Sequence, residues 1–196
     1  TRMATAPFLL VDLFTVEGYL ETLATNYARL SPTPDRRVCD LNAVIEDVVR
    51  VSGDREAAAL RTQLADDLPS VVADPVALRR ILENLIANAV DSLVDGHGTV
   101  TVSTEPVDTA DEPAVRVTVA DTGCGMSEAD TKKIFTDFYT TKPAGTGLGL
   151  SIVRRLVLDV HGTVRLTSEP GVGTRVMVEI PAGPAGPSGE AEEQTG

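Results

Sequence analysis

Residues 145–149 read Gly145-Thr146-Gly147-Leu148-Gly149, between a Thr140-Thr141-Lys142-Pro143 turn and an apolar segment that begins near Leu150. Three glycines on alternate positions leave backbone N–H groups bare and let the chain pass close to a bulky anion. A helix starting there adds unpaired N–H groups and the positive end of its dipole. Lys142 supplies a cation just upstream. A flexible surface turn explains a lone glycine cluster equally well, so the reading depends on what else the chain carries. Two further motifs make it a phosphate cradle, and a phosphate cradle points to a nucleotide.

The 196 residues suit one full domain plus an appendage. Aromatic residues make up only 4% and Trp is absent, so the core must be built from Val, Leu, Ile and Ala. A formal net charge of −12 argues against a nucleic-acid partner and against contact with an anionic membrane. Cys39 and Cys124 lie far apart and form no metal pattern, which suits a reducing, cytoplasmic setting. No apolar run reaches the ~18–20 residues needed to cross a bilayer. The first residue is Thr, which suggests a fragment whose sensing or targeting segments lie elsewhere.

The first segment reads as one long helix over about Pro7–Leu30. Leu9, Leu13, Val16, Leu20, Leu23, Tyr27 and Leu30 alternate in steps of four and three, the seam of a coiled coil or bundle. That stripe can pack on the domain's own surface, on a copy of itself or on another helix. Ser31-Pro32-Thr33-Pro34 then marks a linker. The pattern predicts three regions: 1–37 as helix and linker, 38–181 as an α/β domain, and 182–196 as a disordered Gly-, Pro- and Glu-rich tail. Within the domain a helix is expected over about Leu41–Val51 behind Asp40, and a strand over Ala57–Ala65. Asp74-Pro75 is a cap followed by a first-turn proline, opening a helix to about Val94. Strands follow at Thr99–Thr104 and Ala114–Ala120, then a helix to about Val160 and a hairpin of Thr163–Ser168 with Thr174–Ile180.

The helix from Asp74 carries Leu78, Leu82, Leu85, Ile86, Ala89 and Leu93 on one side. Asn84, Asn88 and Asp91 form a single stripe pointing the other way. Their amide and carboxylate oxygens suit Mg²⁺, a hard cation usually shared between few protein ligands and substrate phosphates. A solvated polar face remains the alternative on spacing alone, although two mid-helix asparagines are poor helix formers for that purpose. The strand ending at Ala120 runs into Asp121-Thr122-Gly123-Cys124-Gly125-Met126. A carboxylate at a strand end can accept a hydrogen bond from an exocyclic amine, and the glycines let backbone lie against a flat ring. A plain Asp-Gly turn would read the same if it stood alone.

Taken together these segments resemble the ATP-binding domain of sensor histidine kinases. Glu83–Ser92 resembles the N box, Asp121–Met126 the first glycine box, Ile134–Lys142 the F box and Gly145–Gly149 the second glycine box. His161-Gly162 and Pro170-Gly171-Val172-Gly173-Thr174 resemble the closing hairpin. The resemblance spans about residues 38–181 and implies a Bergerat-type fold. That is an α/β, or α+β two-layer, sandwich with a mixed sheet packed on helices, here preceded by the long N-terminal helix. It implies ATP and Mg²⁺ as cofactors, with Asn88 coordinating the metal and Asn84 beside it. Asp91 would belong to the same ATP site. Asp121 would take the adenine amino group, supported by Thr174 through water, with Gly123 and Gly125 lining the pocket. Gly145, Thr146, Gly147, Leu148 and Gly149 would hold phosphates and Lys142 would reach the terminal ones. Residues 127–144 would form a short ATP lid, most like those of nitrogen-regulation and C4-dicarboxylate sensors.

Two departures qualify the resemblance. ATPases of the wider superfamily place a water-activating glutamate four residues before the metal-binding Asn; that position is Asn84, which cannot act as a base. Glu83 projects about 100° away around the helix. This favours a kinase over a hydrolase. The second departure is the phosphoacceptor His. The chain has only His97, in an Asp-Gly-His-Gly turn, and His161, in the helix-to-strand His-Gly, and both read as structural. The expected function is thus the Mg-ATP-binding catalytic domain of a two-component histidine kinase, cytoplasmic or the cytoplasmic part of a membrane-bound sensor. It would donate the γ-phosphate to a His outside this chain. A response regulator receiver domain and a second copy in the full-length protein are the implied partners. The alternative is a kinase-like nucleotide-binding regulatory module without phosphotransfer.

Overall fold

Asp74 and Pro75 start the helix on which the rest is built. Asp74 Oδ1 accepts the Val76 N–H at 2.9 Å, and Pro75 fills a first-turn position where its missing N–H costs nothing. The computed structural model describes residues 35–56, 60–109, 112–142 and 145–183, with 52–56 as backbone. The predicted helix over Pro7–Leu30, its seam and the tail beyond 183 lie outside the described residues. Of two compact units, Thr1–Pro34 and Asp35–Gly196, the architecture below is that of the second.

In chain order the elements are β1 (Arg37–Cys39), α1 (Leu41–Glu56), β2 (Leu60–Gln63), β3 (Val71–Ala73) and α2 (Pro75–Asp91). They continue with β4 (Val100–Asp108), β5 (Pro113–Asp121), α3 (Glu128–Thr131), α4 (Gly149–Asp159), β6 (Thr163–Glu169) and β7 (Gly173–Pro181). Five strands form one mixed sheet in the order β2-β4-β5-β7-β6, parallel only between β2 and β4. A separate antiparallel pair joins β1 to β3.

The sheet's two rows of side chains explain its layering. Val102, Val119, Val176 and Leu166 sit side by side across β4, β5, β7 and β6, turned toward the helices. Leu82, Leu85 and Ile86 of α2, Ile45 and Val48 of α1, and Val153 and Val157 of α4 are buried in the same core. Three residues along each strand, an odd step that reverses the face, Glu105, Arg116, Glu179 and Thr163 make the corresponding row on the open face. Arg116 donates to Glu105 at 2.9 Å and to Glu179 at 2.7 Å. The Arg116 hydrogen bond holds the Glu179 carboxyl below the usual carboxylate range. The period of two therefore turns the apolar row toward the helices and the charged row toward the open face.

One half-buried polar cluster, centred on the buried Thr104, ties α1 to the β2 edge. Asn42 Nδ2 donates to the Ala65 carbonyl at 2.8 Å, and the Ala65 N–H donates to Thr104 Oγ1 at 3.0 Å. Thr104 Oγ1 in turn donates to Asn42 Oδ1 at 3.0 Å. Thr104→Val keeps the shape but strands both partners, and an unsatisfied buried group costs about 1–3 kcal/mol. Urea unfolding should show that loss; an unchanged midpoint would mean the cluster contributes nothing.

Several boundaries differ from the sequence reading. The strand expected over Ala57–Ala65 is Leu60–Gln63, with residues 57–59 outside the description. The helix expected to reach Val94 stops at Asp91. Ser92 Oγ donates to the Ala89 carbonyl at 2.6 Å, and the chain turns through Asp95 and Gly96, both at positive φ. Leu93 stays buried beyond the helix end. β4 runs on to Asp108, four residues past Thr104. The β1–β3 pair and the one-turn α3 have no counterpart in the periodicity, because three or four residues are too few to show one.

Candidate functional site

The polar edge of α2 faces the start of α4. Asn84 Nδ2 donates to the Arg80 carbonyl at 2.8 Å, which fixes the rotamer and leaves Oδ1 directed at Gly149. A Cβ at Gly149 would stand 3.2 Å from Asn84 Oδ1 and 3.3 Å from Asn88 Nδ2, so any side chain there would push the two amides back by a few tenths of an ångström. No side chain caps α4. Its first-turn N–H groups and the positive end of its dipole lie beside the two asparagines. Among the described residues no cluster of three or more His, Cys, Asp or Glu could hold a metal. Asn84 and Asn88 offer instead the neutral amide oxygens that suit a hard cation shared with phosphate.

At the other end of the site Asp121 closes β5. Its Oδ1 accepts two backbone donors, Gly123 N–H at 2.8 Å and Thr174 N–H at 3.2 Å. Among the described residues Oδ2 takes no hydrogen bond and is left for a donor from outside. The Asp121–Thr174 register pairing between β5 and β7 brings these two residues together. Behind them Ser168 Oγ accepts the Met126 N–H at 2.8 Å and lies 2.9 Å from Thr174 Oγ1. The loop after Asp121 is pinned by Cys124 N–H to Ser92 O at 2.9 Å and by Gly171 N–H to Cys124 O at 2.8 Å.

Between the two ends the chain folds over as a lid. Ser127 caps α3, accepting the Asp130 N–H at 3.2 Å and donating to Asp130 Oδ2 at 2.6 Å. Tyr139 donates its phenolic proton to Asp130 Oδ1. The Ser127 hydrogen bond, reinforced by Tyr139, holds the Asp130 carboxyl below its ordinary range, and Asp130 raises the Tyr139 phenol. This tie between the lid's two arms is present above the usual carboxylate range and lost as the pH falls through Asp130's depressed value. Lys142 lies near the far end of this segment. Its ammonium lies 2.9 Å from Asp91 Oδ2 and 3.5 Å from Asn88 Oδ1, a cation resting on the oxygen expected to take the metal.

These groups surround one cavity of about 530 Å³, large enough for a nucleotide-sized ligand. Asn84, Asn88, Asp91, Asp121 and Gly125 line it. So do Lys142, Gly145, Thr146, Gly147, Gly149 and Thr174. Gly123 and Leu148, also expected in the site, are buried and do not line it; the Gly123 N–H holds the Asp121 carboxylate at 2.8 Å, and the Leu148 N–H donates to Thr146 Oγ1 at 3.4 Å. Glu83 points away, exposed and 3.9 Å from Arg79. His97 and His161 are likewise outside the lining, His161 lying 3.4 Å from Arg36.

The apolar wall was not read from the sequence. Leu85 and Ala89 come from the apolar side of α2, and Val119, Leu166 and Val176 from three strands that only the β5–β7–β6 register brings to one place. Tyr139 and Ser168 were missed as well. Ser127-x-x-Asp130 is a capping-box spacing that could have placed α3 and, with it, the tie to Tyr139.

Residues 73–184 match the family model described as histidine kinase-, DNA gyrase B-, and HSP90-like ATPase. The virulence sensor protein BvgS of Bordetella bronchiseptica is 38% identical over 151 residues, covering 71% of this chain and 12% of that protein. The signal transduction histidine-protein kinase AtoS of Escherichia coli is 31% identical over 149 residues, covering 74% and 24%. The chain thus spans a quarter or less of these two curated relatives. Among solved structures, full-length ShkA in complex with AMPPNP aligns with a TM-score of 0.73 at 29% identity, covering 95% of this chain and 41% of that one. The catalytic domain of the histidine kinase ThkA aligns at 0.66 and 28% identity, covering 76% and 96%. No helix among the described residues is long and apolar enough to cross a membrane. With its mixed sheet, its helix layer and a cavity between Asp121 and the α4 N-terminus, the chain belongs to the histidine kinase-, DNA gyrase B- and HSP90-like ATPase family, as an ATP-binding domain of the sensor histidine kinase kind.

Proposed function

We propose that the cavity binds Mg-ATP and that the chain presents the γ-phosphate to a histidine outside it, from which a response regulator receiver domain takes the phosphoryl group. The supporting observation is the polarity of one cavity. An acceptor, Asp121, stands at one end, while an uncapped helix start, Lys142 and two amide side chains stand at the other. The purine would lie against Val119, Leu166 and Val176, with its exocyclic amine on Asp121. The phosphates would lie on the Gly145–Gly149 backbone and the start of α4, with Lys142 as their mobile cation. Asn88 and Asn84 would hold Mg²⁺, which when bound neutralises phosphate charge and fixes its orientation.

Transfer breaks the bond from the γ-phosphorus to the bridging oxygen of ADP and forms a bond from phosphorus to an imidazole nitrogen. The residues present serve that reaction by positioning and charge neutralisation. Asn84 has no basic group to offer water, and Glu83 is turned out of the cavity. Asp91 is engaged by Lys142. Hydrolysis would therefore be slow, which preserves ATP for an acceptor.

Two results test the proposal together. With γ-labelled ATP, neither His97 nor His161 should carry label; label on either would refute the assignment of the acceptor to another segment. Mg²⁺ should tighten ATP binding by wild type and not by Asn88→Ala. A metal response that survives in the variant would remove Asn88 from the metal site.

A further inference from the structure

Ser168 stands behind the site and does not line the cavity, yet it decides what one lining residue can offer. Three polar atoms surround its hydroxyl. The Met126 N–H, 2.8 Å away, can only donate to it. The Gly173 carbonyl, 3.0 Å away, can only accept from it. The third neighbour is Thr174 Oγ1 at 2.9 Å, which could do either. A hydroxyl has one proton and two lone pairs. Ser168 gives its proton to Gly173 and one lone pair to Met126, so the Thr174 proton must go to the second lone pair. Thr174 then meets the cavity with lone pairs only. Asp121, whose Oδ1 is already filled by Gly123 and Thr174 N–H groups, likewise offers only an acceptor in Oδ2.

We infer that Ser168 is a positioning residue that locks Thr174 as an acceptor and thereby makes the site prefer a 6-amino purine nucleotide over a 6-oxo one. The inference rests on the nucleotide reading proposed above. A 6-amino group brings two N–H donors to a pair of acceptors. A 6-oxo group brings a third acceptor, which an acceptor-only site cannot satisfy. Without the Ser168 hydroxyl, Thr174 is free to rotate and donate to the oxo group. Ser168 thus acts on the discrimination between two ligands and not merely on the shape of the hairpin.

The test is titration of the full chain with ATP and with ITP, which differ at the position-6 substituent and the protonation of the adjacent ring nitrogen, in wild type, Ser168→Ala, Ser168→Cys and Ser168→Thr. Wild type should favour ATP, and the ITP-to-ATP Kd ratio should fall roughly tenfold in Ser168→Ala. Ser168→Cys is close to isosteric but a weak donor and acceptor, so it should lower the ratio to an intermediate value even if the alanine variant does not fold. Ser168→Thr keeps the hydroxyl and should restore the wild-type ratio, which a purely structural role would not require. A wild-type ratio retained by the alanine or cysteine variant overturns this inference alone. Failure of wild type to bind ATP overturns the nucleotide reading and this inference with it.

Discussion

Asp121→Asn should weaken ATP binding roughly 100-fold while leaving the fold intact, because the loss of a charge-assisted hydrogen bond costs about 1.5–3 kcal/mol. The direction follows from the side chain's surroundings. Two backbone N–H groups, from Gly123 and Thr174, point at Oδ1, so the asparagine must keep its oxygen there. Its NH₂ group is then forced into the position of Oδ2, facing the cavity. A donor would meet the donor of the exocyclic amine, and the purine would lose its anchor. Thermal melting should be nearly unchanged, since the internal hydrogen bonds survive. Equal ATP affinity in wild type and variant would exclude Asp121 from base recognition.

The second large effect is on folding. Gly125 has a φ of 64°, and a Cβ there would stand 1.9 Å from the Glu169 carbonyl oxygen and 2.7 Å from its carbon. Both are backbone atoms at the end of β6, so no side chain can swing away. Gly96 supplies the control, with a φ of 71° and nothing within 4 Å of its Cβ position. Gly96→Ala should cost about 1 kcal/mol, the left-handed strain alone. Gly125→Ala adds the overlap, for a total of about 2–4 kcal/mol. It should also weaken ATP binding, because the clash separates the Asp121 loop from the β6–β7 turn. Urea denaturation of the two variants gives the comparison. Similar losses would show that the loop is not clamped where the structure puts it.

Much of this site is legible in the sequence for a local reason. Asp74-Pro75 names a helix start, and the spacing of Leu82, Leu85, Ile86 and Ala89 names its buried face. The Asn84, Asn88 and Asp91 stripe then follows by the geometry of a single helix. Alternation over Val115, Val117 and Val119 likewise names a strand to Ala120, and the structure carries it one residue further, to Asp121. What escaped reading depends on contacts between distant segments. Leu166 and Val176 become cavity wall only through the β5–β7–β6 register. Ser168 acquires its role only when Met126, Gly173 and Thr174 close around one hydroxyl. β1 and β3 are three residues each, and they hold together by pairing and by burial of Cys39, whose thiol that burial raises. Lys142, expected at the terminal phosphates, has its ammonium on Asp91 and Asn88. ATP entry would have to draw it across, a movement of a flexible side chain that no residue pattern records.

The most direct test of the central claim is isothermal titration of ATP into the full chain, with Mg²⁺ and with the metal chelated. Binding should saturate at one ATP per chain, weaken without Mg²⁺ and be largely lost in Asp121→Asn. No saturable binding at millimolar ATP, or binding indifferent to both the metal and Asp121, would contradict it.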